Sequence, residues 1–117
     1  MMKSLHKIVL LSVMGALSLS AQAGGNASAG QAIASEKCQA CHGADGNSTS
    51  PQFPRLAGQY QNYLERALSE YQSGARSNPI MSGFAAGLSE QDKKDVAAWF
   101  SSQKGLTSAV EPRTVSR

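Results

Sequence analysis

The alternation of apolar and polar positions predicts three helices after position 24. No run of β-branched residues in that part of the sequence is long enough for a central strand, so the expected fold class is all-α. The first helix is expected to have Ser28 as its N-cap and to continue through Ile33 toward Lys37. Cys38 then falls near the carboxyl end of this helix.

The second helix is predicted from about Gln59 to Gln72. Four large apolar side chains recur in this segment at helical spacing, which predicts one buried face. Gly74 follows as a suitable C-terminal stop. The predicted stripe consists of Tyr60, Leu64, Leu68 and Tyr71.

The third helix has the clearest start. Ser89 is followed three residues later by Asp92, an arrangement typical of a capping box. Lys104 and Gly105 are expected to stop the helix. Its apolar face is predicted to contain Val96, Trp99 and Phe100.

Two further segments are predicted to lack regular structure. Asn78-Pro79, Gly83 and Gly87 predict a loop between the second and third helices. Residues 106–117 show no periodic pattern, and we expect them to form a flexible C-terminal tail.

The first 23 residues have the organisation of an export signal. Lys3 and Lys7 form a basic region, residues 8–19 an apolar region, and Ala21-Gln22-Ala23 a cleavage site. An uncleaved anchor is less favoured, because these twelve mostly apolar residues fall short of the ~20 that span a bilayer. We expect a signal peptide over residues 1–23, one domain over residues 24–105 and a periplasmic location without a membrane span.

The charge of the chain gives little support to nucleic-acid binding. The whole sequence has a net charge of +3, but seven Lys and Arg residues balance seven Asp and Glu residues between positions 24 and 104. Lys93 and Lys94 stand beside Asp92 and Asp95, and we interpret this run as a solvated helix face. No nucleic-acid partner is therefore expected.

The two cysteines of the sequence lie in the segment CQACH at positions 38–42. A small domain with few large apolar residues needs a disulfide, a metal or a bound group to stabilise it. A zinc site lacks a fourth ligand, because Cys38, Cys41 and His42 are the only Cys or His residues after position 24. A thioredoxin-like redox pair would need a βαβ pattern, and this sequence has no run of residues that predicts a central strand. A disulfide closing so short a loop would constrain the unfolded chain little.

Covalent haem attachment accounts for all three residues of the motif. Because residues i and i+3 lie on one side of a helical turn, Cys38 and Cys41 can both form thioethers with the vinyl groups of one porphyrin. His42 then lies under the iron. Met81 is the only methionine after position 24, so it is the candidate for the opposite axial position, although an isolated methionine can also be a core residue.

The chain also resembles the class I cytochromes c, and in particular the short single-haem periplasmic proteins of bacteria. The resemblance extends over about residues 27–103, through CQACHGADGNS, FPRLAGQYQNYL, Met81 after RSNPI, and the final helix DVAAWF. It implies a cytochrome c fold in which the first and last helices cross and the intervening segments wrap around one haem. It also implies that the distal methionine lies in a loop, at the place of Met81.

The resemblance has one further implication for an individual residue, and the other expectations rest on the residue types and their positions. The family's haem-ligating histidine donates to the carbonyl of a loop proline twelve residues later, which matches Pro54 in this sequence. Gly30 is expected to allow the first helix to approach Trp99 or Phe100. Arg55 or Arg76 is a candidate for neutralising a haem propionate. Candidates for the haem pocket, with ordinary core packing as the alternative, are Phe53, Leu56, Leu64, Leu68, Ile80 and Phe84.

These observations predict a monomeric periplasmic carrier of single electrons with one covalent haem c, and not an enzyme. Its expected partners are membrane-bound reductases and terminal oxidases or soluble dehydrogenases. One alternative is a haem enzyme or gas sensor with an open sixth position on the iron, such as a peroxidase. Another is the haem subunit of a particular dehydrogenase.

Overall fold

The computed structural model describes residues 24–106, which form five α-helices and no strand. The predicted all-α class is confirmed, and the three predicted helices correspond to the first, third and fifth observed ones. The expected signal peptide and nearly all of the expected tail lie outside the described residues. The helices are α1 (Ala27–Lys37), α2 (Gln39–His42), α3 (Gln61–Ser73), α4 (Pro79–Ala86) and α5 (Glu90–Ser101).

The N-cap of α1 is Asn26, so the prediction that Ser28 caps this helix was wrong. The Asn26 side-chain oxygen accepts hydrogen bonds from the backbone N–H groups of Ser28 (2.9 Å) and Ala29 (3.1 Å). Both residue types favour N-caps, but Asn26 has the extended backbone that a cap requires. The Asn26 N–H also donates to the carboxylate of Asp95 in α5 (2.7 Å), which fixes the start of α1 against that helix.

Replacement of Asn26 by alanine is therefore expected to lower the free energy of unfolding by about 1 kcal/mol, because two N–H groups of the first turn lose their acceptor. Ser28→Ala, at an exposed position of the same turn, is expected to change it by less than about 0.5 kcal/mol. Urea unfolding of the two variants measures the difference. Equal losses in both would show that Asn26 is not the effective cap.

The third and fifth helices follow their predictions closely. Helix α3 ends at Ser73 and is followed by Gly74, which adopts the left-handed conformation (φ 84°). Tyr60 was wrongly assigned to the buried stripe, because it precedes the first turn and is 66 % exposed. The capping box at the start of α5 is confirmed, with hydrogen bonds in both directions between Ser89 and Asp92. The helix ends at Ser101, earlier than predicted.

Helix α4 occupies a segment that was wrongly predicted to be a loop. The Asn78 side chain accepts hydrogen bonds from the N–H groups of Ile80 (3.0 Å) and Met81 (3.1 Å). Pro79 occupies the first turn, where its missing N–H needs no partner. The interior Gly83 costs such a helix only ~1 kcal/mol. Met81 consequently lies in a helix rather than in a loop.

Helices α1 and α5 pack against each other through backbone atoms at Gly30. A Cβ atom on Gly30 would lie 1.9 Å from the carbonyl oxygen of Asp95 and 2.9 Å from the nitrogen of Val96. The close approach was expected, but it is made to these two residues rather than to Trp99 or Phe100. Only glycine leaves room for the two backbones at this distance.

The core next to this contact is small. Among the described residues, Phe100 is the one large side chain that is less than 2 % exposed. Around it pack Ala34, Leu64, Val96 and Ala97. A core made so largely of small side chains buries little apolar surface, as the composition predicted, so the domain needs an additional stabilising group.

Lys93 is buried in the structure, so its assignment to a solvated helix face was wrong. Its side chain is 3 % exposed and its ammonium group donates to Ser69 Oγ (3.0 Å), Gln72 Oε1 (2.9 Å) and the Glu90 carboxylate. An ammonium group has three N–H donors, and each has an acceptor here. This complete set of partners offsets the cost of removing the charge from water.

Within residues 24–106, none of the helices has the length and apolar character needed to cross a membrane.

Candidate functional site

The candidate site residues line one open cavity, whose wall includes parts of α2, α3, α4 and α5. Cys38, Cys41 and His42 line it together with Pro54 and Met81. These residues come from segments up to 43 positions apart, so the fold, and not the local sequence, brings the methionine to the motif. The six candidates for the pocket wall also line this cavity: Phe53, Leu56, Leu64, Leu68, Ile80 and Phe84.

The motif forms the single helical turn α2, as its spacing predicted. The carbonyl oxygen of Cys38 accepts hydrogen bonds from the N–H groups of Cys41 (3.3 Å) and His42 (3.0 Å). Both cysteines are free thiols. Burial raises the pKa of Cys38 to about 11, and the positive charge of Lys37 offsets this only in part. A redox-active CxxC pair needs a lowered thiol pKa, so this environment does not suit thioredoxin-like chemistry.

The imidazole of His42 is held in one orientation. It is 7 % exposed, and its Nδ1 atom lies 2.8 Å from the carbonyl oxygen of Pro54. Since a carbonyl can only accept a hydrogen bond, Nδ1 is the donor and Nε2 keeps the lone pair that can bind a metal. The ring of Phe53 packs edge-on against the imidazole at 6.4 Å between centroids. The hydrogen bond to Pro54 is the one that the resemblance implied.

A turn at Gly46 returns the chain to this histidine. The carbonyl oxygen of Gly46 accepts hydrogen bonds from the N–H groups of Leu56 (2.8 Å) and Ala57 (3.2 Å). Gly46 has a positive φ of 83°, and a Cβ atom there would lie 2.7 Å from Phe100 Cδ1. Glycine therefore satisfies both the backbone conformation and the contact with the core, and this places Pro54 beside the motif.

Met81 lies half-buried in the cavity wall, in the first half of α4. The helix also places two large apolar side chains at the cavity, where Ile80 is 59 % exposed and Phe84 48 % exposed. Exposed apolar side chains that lie together, unlike isolated ones, mark a binding groove. Their exposure beside Met81 fits a cavity that receives a large apolar group.

Two arginines line the same cavity. The guanidinium of Arg76 pairs with Glu70 (3.3 Å) and donates to the hydroxyl of Tyr63 (3.4 Å). The hydrogen bond to Tyr63, followed by that to Tyr71, raises the pKa of Arg76 above its usual range, so this group is always cationic. Arg55 donates to the carbonyl of Ser48 (3.4 Å). A role for either arginine beside a haem propionate stays a prediction.

Sequence reasoning missed several residues of the wall, including Tyr63, Asn78 and Ala97. Asn78 had a usable signal, because Asn followed by Pro is also typical of an N-cap and the first residue of a helix. Tyr63 had a weaker one, since it lies one position before the predicted stripe residue Leu64. Nothing in the local sequence distinguished Ala97.

Comparison with known proteins bears on the same residues. The family described as Cytochrome c matches residues 27–104, which include the motif, the cavity wall and both crossing helices. The chain belongs to the cytochrome c family. With the Cys38–Cys41 spacing, this membership establishes covalently attached haem c as its cofactor.

Similar proteins include cytochromes c4. The chain is 44 % identical to cytochrome c4 of Pseudomonas aeruginosa over 110 residues, which cover 94 % of this chain and 54 % of that protein. The crystal structure of reduced recombinant cytochrome c4 from Pseudomonas stutzeri matches with a TM-score of 0.65 and 45 % identity, over 70 % of this chain and 47 % of that one. This likeness confirms the expected cytochrome c fold.

A third relative has a name that describes its role. The chain is 43 % identical over 106 residues to a protein of Stutzerimonas stutzeri named thiosulfate dehydrogenase electron acceptor, covering 83 % of this chain and 47 % of that protein. The chain thus spans about half the length of the relatives that it matches here.

The residues present fit a covalently attached haem. Two free thiols and an imidazole whose Nδ1 is bound to a carbonyl lie on one helical turn, at a cavity whose wall is mostly apolar. The cavity also contains two guanidinium groups, which suit the carboxylates of the cofactor. The side chain of Met81, whose thioether is of a type that can bind haem iron, lines the same cavity.

Proposed function

We propose that this cytochrome c domain carries single electrons between redox partners, with His42 and Met81 as the two axial ligands of its haem iron. The observation that supports the proposal best is that both side chains line the cavity that contains the two cysteines. With both axial positions filled by protein, no substrate reaches the iron, so the domain acts as a carrier and not as an enzyme.

The chain's own residues have distinct tasks in this proposal. Bound haem c supplies an iron centre that gains or loses one electron. His42 is kept in a fixed orientation by the Pro54 carbonyl, so its Nε2 would be held ready to bind the iron. The soft thioether of Met81 favours the reduced state. The apolar wall keeps water away from the site.

We place the domain in the periplasm as a monomer. The basic, apolar and small-residue regions of positions 1–23 support export and cleavage before Gly24. Covalent haem attachment through two thiols fits such an exported chain. The proposed domain extends over residues 24–105, and the following residues to 117 form the proposed flexible tail.

The name of one relative supports dehydrogenases as a partner class. That relative is named as the electron acceptor of thiosulfate dehydrogenase, so we infer that this domain accepts electrons from a dehydrogenase and passes them to a membrane-bound reductase or terminal oxidase. The contacts are expected to be small and brief, as is usual for electron-transfer complexes. A permanent haem subunit of one dehydrogenase is the second candidate, and co-purification with that enzyme would support it.

The proposal is tested by intact mass and visible spectra of the full chain expressed with its export signal. We expect the mass of residues 24–117 plus one haem, and reversible one-electron reduction. The oxidised protein should show the weak long-wavelength band of a thioether bound to ferric iron. A spectrum without that band would contradict ligation by Met81, and a mass without haem would contradict the site.

A further inference from the structure

We propose that Gln72 is a positioning residue that holds α4, and with it Met81, at the iron site, and that the buried Lys93 fixes Gln72 for this task. The inference rests on the proposed ligation of the iron by Met81. It concerns the one buried cation among the described residues, which the cofactor site does not use.

The side-chain amide of Gln72 connects three helices. Its Nε2 donates to the carbonyl oxygens of Ala85 (3.0 Å) and Leu88 (2.9 Å), at the end of α4 and just after it. Its Oε1 accepts a hydrogen bond from Lys93 of α5 (2.9 Å). An ammonium group can only donate and carbonyls can only accept, so these partners allow a single orientation of the amide.

The bond to Ala85 acts one helical turn from Met81. Residues four apart lie on the same face of a helix, and both Met81 and Ala85 line the cavity. Ala85 is fully buried. A restraint on its carbonyl therefore restrains the part of α4 that presents the thioether.

Helix α4 needs restraints of this kind because it has only eight residues. An isolated helix of this length is unstable in water, and its last carbonyls have no partners within the helix. Asn78 fixes the first turn by accepting the N–H of Met81 itself (3.1 Å). Gln72 fixes the last turn, so the two side chains hold Met81 from both ends.

Lys93 restricts the motion of Gln72. Its other two N–H groups are bound to Ser69 and Glu90, so the ammonium group has no freedom to follow a moving amide. With its side chain only 3 % exposed, water cannot easily replace a lost partner. Lys93 therefore holds the Oε1 atom of Gln72, while the Nε2 atom of Gln72 holds α4.

Gln72→Glu tests the proposal most sharply. The substitution keeps the side-chain length and the acceptor for Lys93. It replaces the Nε2 donor by a second oxygen, which faces the carbonyl oxygens of Ala85 and Leu88 and cannot donate to them. We measure binding of imidazole to the oxidised, haem-loaded full chain at fixed neutral pH. Imidazole competes with Met81 for the iron, so its apparent affinity rises with the fraction of molecules in which Met81 is displaced. Loss of the two part-buried hydrogen bonds predicts a rise of about ten-fold.

Matched variants separate positioning from general destabilisation. Lys93→Met is expected to raise imidazole affinity about three-fold, because it releases the amide but leaves its donors in place. Lys94→Met makes the same change at the adjacent residue and is expected to leave the affinity unchanged. Asn26→Ala weakens α1 without touching α4, and it too should leave the affinity unchanged. Circular dichroism under the same conditions should show unchanged helix content in all four variants.

Met81→Ala distinguishes failure of this inference from failure of the proposed function. If the unsubstituted protein binds imidazole as tightly as Met81→Ala does, Met81 is not a ligand and the proposed function fails. If Met81→Ala binds much more tightly but Gln72→Glu matches the unsubstituted protein, Met81 is a ligand and the positioning role of Gln72 is overturned. A rise in Asn26→Ala as large as that in Gln72→Glu would also overturn it.

Discussion

Met81→Ala is expected to lower the reduction potential of the haem by on the order of 0.1–0.2 V. The thioether is a soft ligand that stabilises ferrous iron relative to ferric iron, and alanine leaves that position to water or another hard ligand, which favours the ferric state. A spectroelectrochemical titration of both proteins at neutral pH measures the shift. The covalent attachment through Cys38 and Cys41 should be unaffected, so the variant should still contain one haem.

The matched control for this prediction is Ile80→Ala. Ile80 is adjacent to Met81, lines the same cavity and is 59 % exposed, but it has no donor atom. Its truncation is expected to shift the potential by only a small fraction of the Met81→Ala effect. Equal potentials in Met81→Ala and the unsubstituted protein would exclude Met81 as a ligand.

Gly30→Ala is expected to destabilise the fold strongly, by on the order of 3 kcal/mol or more. The added Cβ would lie 1.9 Å from the carbonyl oxygen of Asp95, and this atom belongs to the backbone of α5. A side chain could rotate away, but a helix backbone cannot, so α1 and α5 must separate. Urea unfolding followed by circular dichroism gives the change in free energy.

Gly87→Ala is the control for this substitution. A Cβ atom on Gly87 meets nothing within 4 Å, and its φ of −88° suits alanine. Its free energy of unfolding is expected to stay within about 0.5 kcal/mol of the unsubstituted protein. If Gly30→Ala changed the free energy of unfolding as little as Gly87→Ala, the close packing of the two helix backbones would be refuted.

Local sequence signals were enough for the features that depend on neighbouring residues. The spacing of Cys38, Cys41 and His42 predicts a helical turn, and the structure contains that turn as α2. Ser89 and Asp92 form the predicted capping box. The two residues of a capping box lie within one helical turn of each other, so the local sequence is enough to predict it. Gly74 similarly ends α3 through its own backbone conformation.

The features that the sequence did not predict depend on distant partners or on a choice between two local signals. Lys93 is buried because Ser69 and Gln72, more than twenty positions earlier, supply acceptors that no local pattern indicates. Asn78-Pro79 is compatible with both a turn and a helix start. The packing of α4 against α3 favours the helix, and this tertiary contact is absent from any short window of sequence.

The central claim is that protein side chains fill both axial positions of the iron, and carbon monoxide binding to the reduced, unsubstituted protein at neutral pH tests it most directly. The account predicts little uptake and an unchanged spectrum, because Met81 occupies the position that the gas would need. Rapid, tight binding would show an open sixth position and would contradict the electron-carrier assignment in favour of a haem enzyme or gas sensor.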